Sequence, residues 1–207
     1  MTSSVGYDLV PVPRLAVRFP LELPLPDGFV AERPETWPVV EGSLELVEGK
    51  LLYMPPCADR QQYTSADVVG LLWAWRRTHP EFLVAGNEAG MLLGGDSRGA
   101  DAAVWRLDAV GPHRGRFQRV PPVLAVEVMG ELEEERELRA KARWYLDHGV
   151  EVVWLLRPQD LTATVVTEAG PIELSGAGEI AEHPSLPGLC APLSDLFAQV
   201  TATAPDR

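Results

Sequence analysis

The sequence predicts an α/β domain built on a mixed central sheet, flanked by helices and preceded by a β-hairpin. Three observations carry that reading. Leu44, Leu46, Leu51 and Tyr53 alternate around Glu48-Gly49, the pattern of a two-stranded hairpin. Two nearly continuous apolar runs, Val123–Met129 and Val150–Leu156, have the texture of strands buried on both faces. Between them lies a segment of helical periodicity, Glu133–His148, closed by Gly149 as a C′ residue. A strand, a helix and a strand in that order form a βαβ unit within a mixed sheet.

The remaining elements follow along the chain. Residues 1–40 carry Pro11, Pro13, Pro20, Pro24, Pro26, Pro34 and Pro38. Proline removes backbone donors and disfavours helix at the preceding residue, so this stretch reads as an irregular arm with one short helix near Pro34–Val40. Residues 41–200 form the domain, and 201–207 a tail. Over residues 64–78, Val68, Leu71, Leu72 and Trp75 fall at helical spacing, with Thr64 or Ser65 as N-cap. Strands are expected at Phe82–Ala85, Ala89–Leu93 and Ala100–Leu107, then a long loop over Asp108–Pro122, a further strand at Thr162–Glu168 and a terminal helix at Ser194–Val200.

Composition bounds the function. The chain has 207 residues, 46% apolar and 23% charged, with a formal net charge of −12. That is one sizeable soluble domain, and the acidic balance excludes a basic, sequence-blind nucleic-acid coat. Cys57 and Cys190 are far apart and form neither a disulfide framework nor a thiolate zinc site. The N-terminus lacks the pattern of a signal peptide, and no run of about 18 apolar residues occurs, so the chain is expected to be cytoplasmic, with no membrane partner. Gly95-Asp96-Ser97-Arg98-Gly99 fits GxSxG, but a strand rather than a helix follows it, so GGDSRG reads as a hairpin turn. His79, His113, His148 and His183 are scattered, which gives a zinc hydrolase no support.

Three residues stand out. Glu127 lies in the middle of VLAVEVM, where an unpaired carboxylate costs several kcal/mol to bury and must meet a cation, a metal or a proton. Asp101 opens ADAAVW after the GGDSRG turn. If the two strands are neighbours, both carboxylates can point at one site and, with waters, hold Mg²⁺. Lys141 shares a helix stripe with Leu138, Ala142 and Tyr145, whereas Glu134, Arg136, Arg139 and Arg143 take the other face. Only Lys50 and Lys141 are lysines in a chain with 18 basic residues, and one of the two is on an inward face. Glu131, Glu133, Glu134, Glu135 and Glu137 crowd the start of this helix, where its dipole and solvent account for them without a catalytic role.

Asp101 in RGADAAVW, Glu127 in VLAVEVM, Lys141 in ELRAKARWYLDHGV and the following VVWLLRP resemble the Uma-two family of restriction endonucleases, within the PD-(D/E)XK nuclease superfamily. LELVEGKLLYMPP and SLPGLCAPLSDLF resemble that family's opening hairpin and closing segment, so the resemblance spans about residues 41–197. It implies a restriction-endonuclease-like core and a metal-dependent endonuclease acting on DNA. Asp101 and Glu127 would hold Mg²⁺ (or Mn²⁺), Lys141 would assist the attacking water, and Glu45 would be an accessory group. It also implies a homodimer, since one site per chain cuts both strands of a duplex in pairs or by successive events. The chain departs from the family pattern at Ala100, at Met129-Gly130 and at Gln61 and Gln62.

The residue types suit phosphodiester hydrolysis, in which a metal and a lysine ammonium stabilise developing charge. Residues 98–143 hold nine basic against eight acidic residues, in contrast to the acidic remainder, and Arg106, Arg114, Arg116 and Arg119 fall on or beside the long loop as candidate phosphate contacts. The rival reading is a catalytically dormant member of the same fold that binds nucleic acid or a partner protein.

Overall fold

A computed structural model describes residues 19–111, 117–131 and 133–203. The hairpin forms as its pattern predicts, with β2 (Ser43–Val47) and β3 (Lys50–Met54) paired across Glu48-Gly49. From the proline-rich arm, β1 (Leu21–Leu23) adds an edge strand to β3, and a 3₁₀ turn forms at Pro34–Thr36. Trp37 then packs between Phe29 and Phe117, so the arm and the long loop close over Leu46 and Leu51 of the hairpin.

Helix α1 (Asp59–Arg76) begins a turn earlier than the apolar spacing predicts. Its first turn faces the functional site with polar residues, so hydrophobic periodicity is visible only from Val68 onward. Thr64 is therefore fully buried inside the helix, and neither it nor Ser65 is the N-cap, a position held by Ala58. The strands expected at Phe82–Ala85 and Ala89–Leu93 are one strand, β4 (Phe82–Leu93), interrupted by a bulge between Gly86 and Ala89. It turns through Gly94-Gly95, both at positive φ, into β5 (Asp96–Arg106), which makes GGDSRG a hairpin turn as expected and no nucleophile elbow.

The βαβ unit consists of β6 (Leu124–Val128), α2 (Glu135–Asp147) and β7 (Val152–Arg157), with β6 and β7 parallel. The sheet then continues through β8 (Thr162–Thr167) and β9 (Gly170–Leu174). The nine strands run β1-β3-β2-β5-β6-β7-β8-β9, with β4 paired to the other side of β5. The hairpin is thus continuous with the main sheet, joined where Leu46 pairs with Ser97.

A short pair, β10 (Glu179–Ile180) and β11 (Ala191–Pro192), leads into α3 (Leu193–Leu196) and α4 (Ala198–Ala202), where one terminal helix was expected. Two cores result. On one face α1 and the C-terminal segment cover Val104, Val126, Trp154 and Leu156. On the other, Leu138, Ala142 and Tyr145 of α2 cover Ala103, Ala125, Val153 and Leu155. Lys141 lies on this inner side of α2, and the arginines at 136, 139 and 143 are exposed, as the spacing predicts. Among the described residues, no helix is long and apolar enough to cross a membrane.

Candidate functional site

Strand register brings the two carboxylates together. β5 and β6 pair antiparallel with Ala102 opposite Val126, and one more step of that register would place Asp101 opposite Glu127. Directly opposed side chains share a face of the sheet. The ladder stops one step short, and the Asp101 carboxylate takes over as acceptor: Val128 N–H donates to its Oδ2 at 2.7 Å. On the other oxygen, Oδ1, the Gln61 amide and the Ser65 hydroxyl of α1 donate at 3.4 and 3.3 Å. Gln61, one of the departures from the family pattern, is therefore a direct neighbour of Asp101.

Glu127 is 2% exposed, and both of its oxygens accept. Tyr145 Oη donates to Oε1 at 2.5 Å and Lys141 Nζ to Oε2 at 3.0 Å. Both donors come from α2, four residues apart and hence on one helix face. Lys141 Nζ also lies 3.2 Å from Oε1 of Glu133, whose Oε2 accepts from Gly130 N–H. The candidate site residues Asp101, Glu127 and Lys141 thus line one pocket. Glu133 joins them, against the expectation that solvent and the helix dipole account for it. It precedes the helix proper, and the turn at Gly130 folds its side chain back onto Lys141.

Glu45 lines the same pocket from the hairpin, 5% exposed. Arg98 donates to it at 2.9 Å and Gly99 N–H at 3.2 Å, while the Arg98 guanidinium lies 5.2 Å from the centre of the Trp144 ring. Glu88 comes from the β4 bulge, where Asn87 and Glu88 both adopt left-handed backbone, φ 57° and 61°. Its carboxylate leans over Gly99, where a Cβ would meet Glu88 Oε2 at 2.7 Å, so a side chain at position 99 would push the Glu88 carboxylate aside.

The electrostatics follow from this crowding. Burial pushes the Glu127 carboxyl up to about 8, with Lys141 opposing, and partial desolvation among the pocket's carboxylates pushes Glu88, itself exposed, up to about 7, with Asp101 adding to the effect. Asp101 is also raised by burial, against the Val128 N–H that favours its charged form. Burial works to lower Lys141, but Glu127, Glu133 and Glu45 together outweigh it and hold the ammonium well above the ordinary lysine range.

The donor set fits a divalent cation. Seven carboxylates line the pocket (Glu45, Glu88, Asp101, Glu127, Glu131, Glu133 and Glu137) against Arg98 and Lys141, an excess of negative charge in a partly dry site. Among the described residues, no group of three or more His, Cys, Asp or Glu side chains is arranged to enclose a metal ion. Mg²⁺ does not require such a cage, because it keeps several waters and is held by one or two carboxylates. Asp101 and Glu127 supply that number.

Sequence reasoning missed Tyr145, Arg98, Glu88 and Glu133. Tyr145 had a signal, four residues after Lys141 on the same stripe. Arg98 and Glu88 had none, since their roles depend on how β4, β5 and the hairpin meet. Arg114 and Arg116 lie outside the described residues, Arg106 stacks on Phe82 five residues beyond Asp101 along β5, and Arg119 reaches the Glu32 carbonyl of the arm. Neither Arg106 nor Arg119 lines the pocket.

Comparison with known proteins agrees with this architecture. A crystal structure of a putative nuclease belonging to DUF820 from Anabaena variabilis superimposes with a TM-score of 0.71 at 17% identity, covering 80% of this chain and 96% of the other. At that identity the likeness concerns the fold. A search of the curated proteins finds no match. The model of the Uma2 family, described as "Putative restriction endonuclease", matches residues 15–194, so the match takes in much of the proline-rich arm that the sequence resemblance left out. With most of its length matched, the chain belongs to the Uma2 (Uma-two) family.

Proposed function

We propose that the chain is a metal-dependent endonuclease that hydrolyses phosphodiester bonds of DNA. The observation that carries this reading is the buried contact of Lys141 Nζ with the Glu127 carboxylate, in a pocket that also holds Asp101 and has a surplus of negative charge. Asp101 and Glu127 hold Mg²⁺ or Mn²⁺. The ion, when bound, supplies Lewis-acid charge at the phosphate and makes a nucleophile available from water at neutral pH.

The chain's own residues do the rest. Val128 N–H fixes the Asp101 carboxylate, and Tyr145 fixes that of Glu127. Lys141 donates a hydrogen bond and a positive charge toward the attacking water and the charge that develops on the phosphate. Glu133 holds the lysine ammonium in place from the other side. Mn²⁺ titration by calorimetry tests the ligand assignment: Glu127→Gln is expected to weaken binding at least tenfold while thermal unfolding shows an intact fold. Unchanged affinity would sink the assignment.

One observation favours a second reading, a dormant site on a fold that binds nucleic acid or a partner protein. Both Glu127 oxygens are already engaged, by Tyr145 and Lys141. The same titration separates the two, because a dormant site leaves the wild-type chain without Mn²⁺ binding.

A further inference from the structure

We propose that the pocket admits one unpaired nucleotide, so that the substrate is a single-stranded or locally unpaired stretch of nucleic acid rather than closed duplex. This inference rests on the nuclease reading. The groups that act at the phosphate are deep: the side chains of Glu127 and Lys141 are 3% and 14% exposed, and Glu133, which holds Lys141, is 11% exposed. The cavity above them measures about 350 Å³, within the range of pockets that take a single small molecule. A double helix, whose major groove alone is about 12 Å wide, cannot enter such a space, whereas a single flexible strand can lead one nucleotide into it.

The lining is divided in a way that matches one nucleotide. Its floor is the polar cluster, suited to a phosphate beside a cation. One wall is apolar, made by Phe19, Pro20, Leu52, Met54, Pro55 and Pro56 from the arm and the end of β3. Phe19 is the aromatic member of this wall and offers a ring face on which a base can stack without its edge being read, and the aliphatic side chains beside it extend the apolar contact, so the wall tolerates any base.

Charge points the same way. Among the described residues, Arg98 and Lys141 are the basic residues of the lining and both are engaged by carboxylates, and Arg106 and Arg119 lie elsewhere. A duplex carries one negative charge per about 1.7 Å of axis and depends on a basic platform to offset it; one strand carries half that density.

The test compares Mn²⁺-dependent cleavage of circular single-stranded DNA with that of relaxed, covalently closed duplex of the same sequence. It adds fluorescence anisotropy of a labelled oligothymidylate in Ca²⁺. The expected result is cutting of the single-stranded circle at least tenfold faster. Met54→Asp, which puts a carboxylate on the wall, is expected to weaken oligonucleotide binding about tenfold with Mn²⁺ affinity unchanged. Pro56→Asp, at an exposed position of the same wall, does the same if the Met54 variant fails to fold. Equal or faster cutting of the duplex overturns this inference and leaves the nuclease reading standing. Wall variants that bind the oligonucleotide as wild type also overturn it. Cutting of neither form overturns the nuclease reading, and this inference with it.

Discussion

Glu127 shows how much one residue in a sequence can reveal. A carboxylate inside VLAVEVM demands a partner whatever the fold, and the structure supplies two, Lys141 and Tyr145. Lys141 was legible for a related reason, as one of two lysines on the apolar side of its helix. Glu133 was not, because five glutamates crowd residues 131–137 and only the turn at Gly130 selects the one that folds inward. Two predictions belong to this scale. Lys141→Ala is expected to reduce turnover 100-fold or more while leaving Mn²⁺ affinity within a few-fold, a combination that kinetics and calorimetry read separately. If it changes neither, the lysine is only packed. Tyr145→Phe removes a buried hydrogen bond and is expected to cost about 1 kcal/mol, roughly 3 °C in Tm for a chain of this size. Thermal unfolding checks this, and an unchanged Tm would mean that the hydroxyl contributes nothing to the fold.

At the scale of elements, β6, α2 and β7 were legible because two-faced burial and helical spacing leave strong marks in sequence. The polar first turn of α1 and the β4 bulge were not. Gln61 and Ser65 look like solvent-facing residues until Asp101 is placed beside them, and no local pattern announces that Asn87 and Glu88 leave the strand conformation. The edge strand β1 was hidden by the prolines around it, since its hydrogen bonds go to β3 on one side only. The βαβ unit also carries its own electrostatic tie. Arg157 at the end of β7 donates twice to Glu135 at the start of α2, at 2.7 and 2.6 Å, and holds that carboxyl below its usual range. A depressed carboxylate contributes stability above its unfolded pKa of about 4.3 and loses it as pH falls through the folded value. Arg157→Met is therefore expected to lower Tm by a few degrees at pH 7, with the gap to wild type closing below about pH 4. A gap independent of pH would show that packing of the arginine, not its ion pair, is what the variant loses.

At the scale of the whole molecule, the Uma2 membership and the mixed sheet were legible as an ordered set of short motifs, although the match extends further into the arm than those motifs do. The pocket was not legible, because its apolar wall comes from the arm and the hairpin and its floor from β5, β6 and α2. Its shape also bears on assembly. With one site per chain, both strands of a duplex are cut by paired copies or by successive events, whereas one copy in one event suffices for an unpaired strand. The rate on single-stranded DNA is therefore expected to rise in proportion to protein concentration, and a second-order rise would show that a dimer is required there too. The central claim, a metal-dependent nuclease site built on Asp101, Glu127 and Lys141, is tested most directly by Mn²⁺-dependent cleavage of supercoiled plasmid, whose torsion opens unpaired stretches, by wild type and Glu127→Gln prepared in parallel. The account predicts metal-dependent loss of the supercoiled form with the wild type and none with the variant. Equal cutting by both proteins, or no cutting by a wild-type chain that binds Mn²⁺, would contradict it.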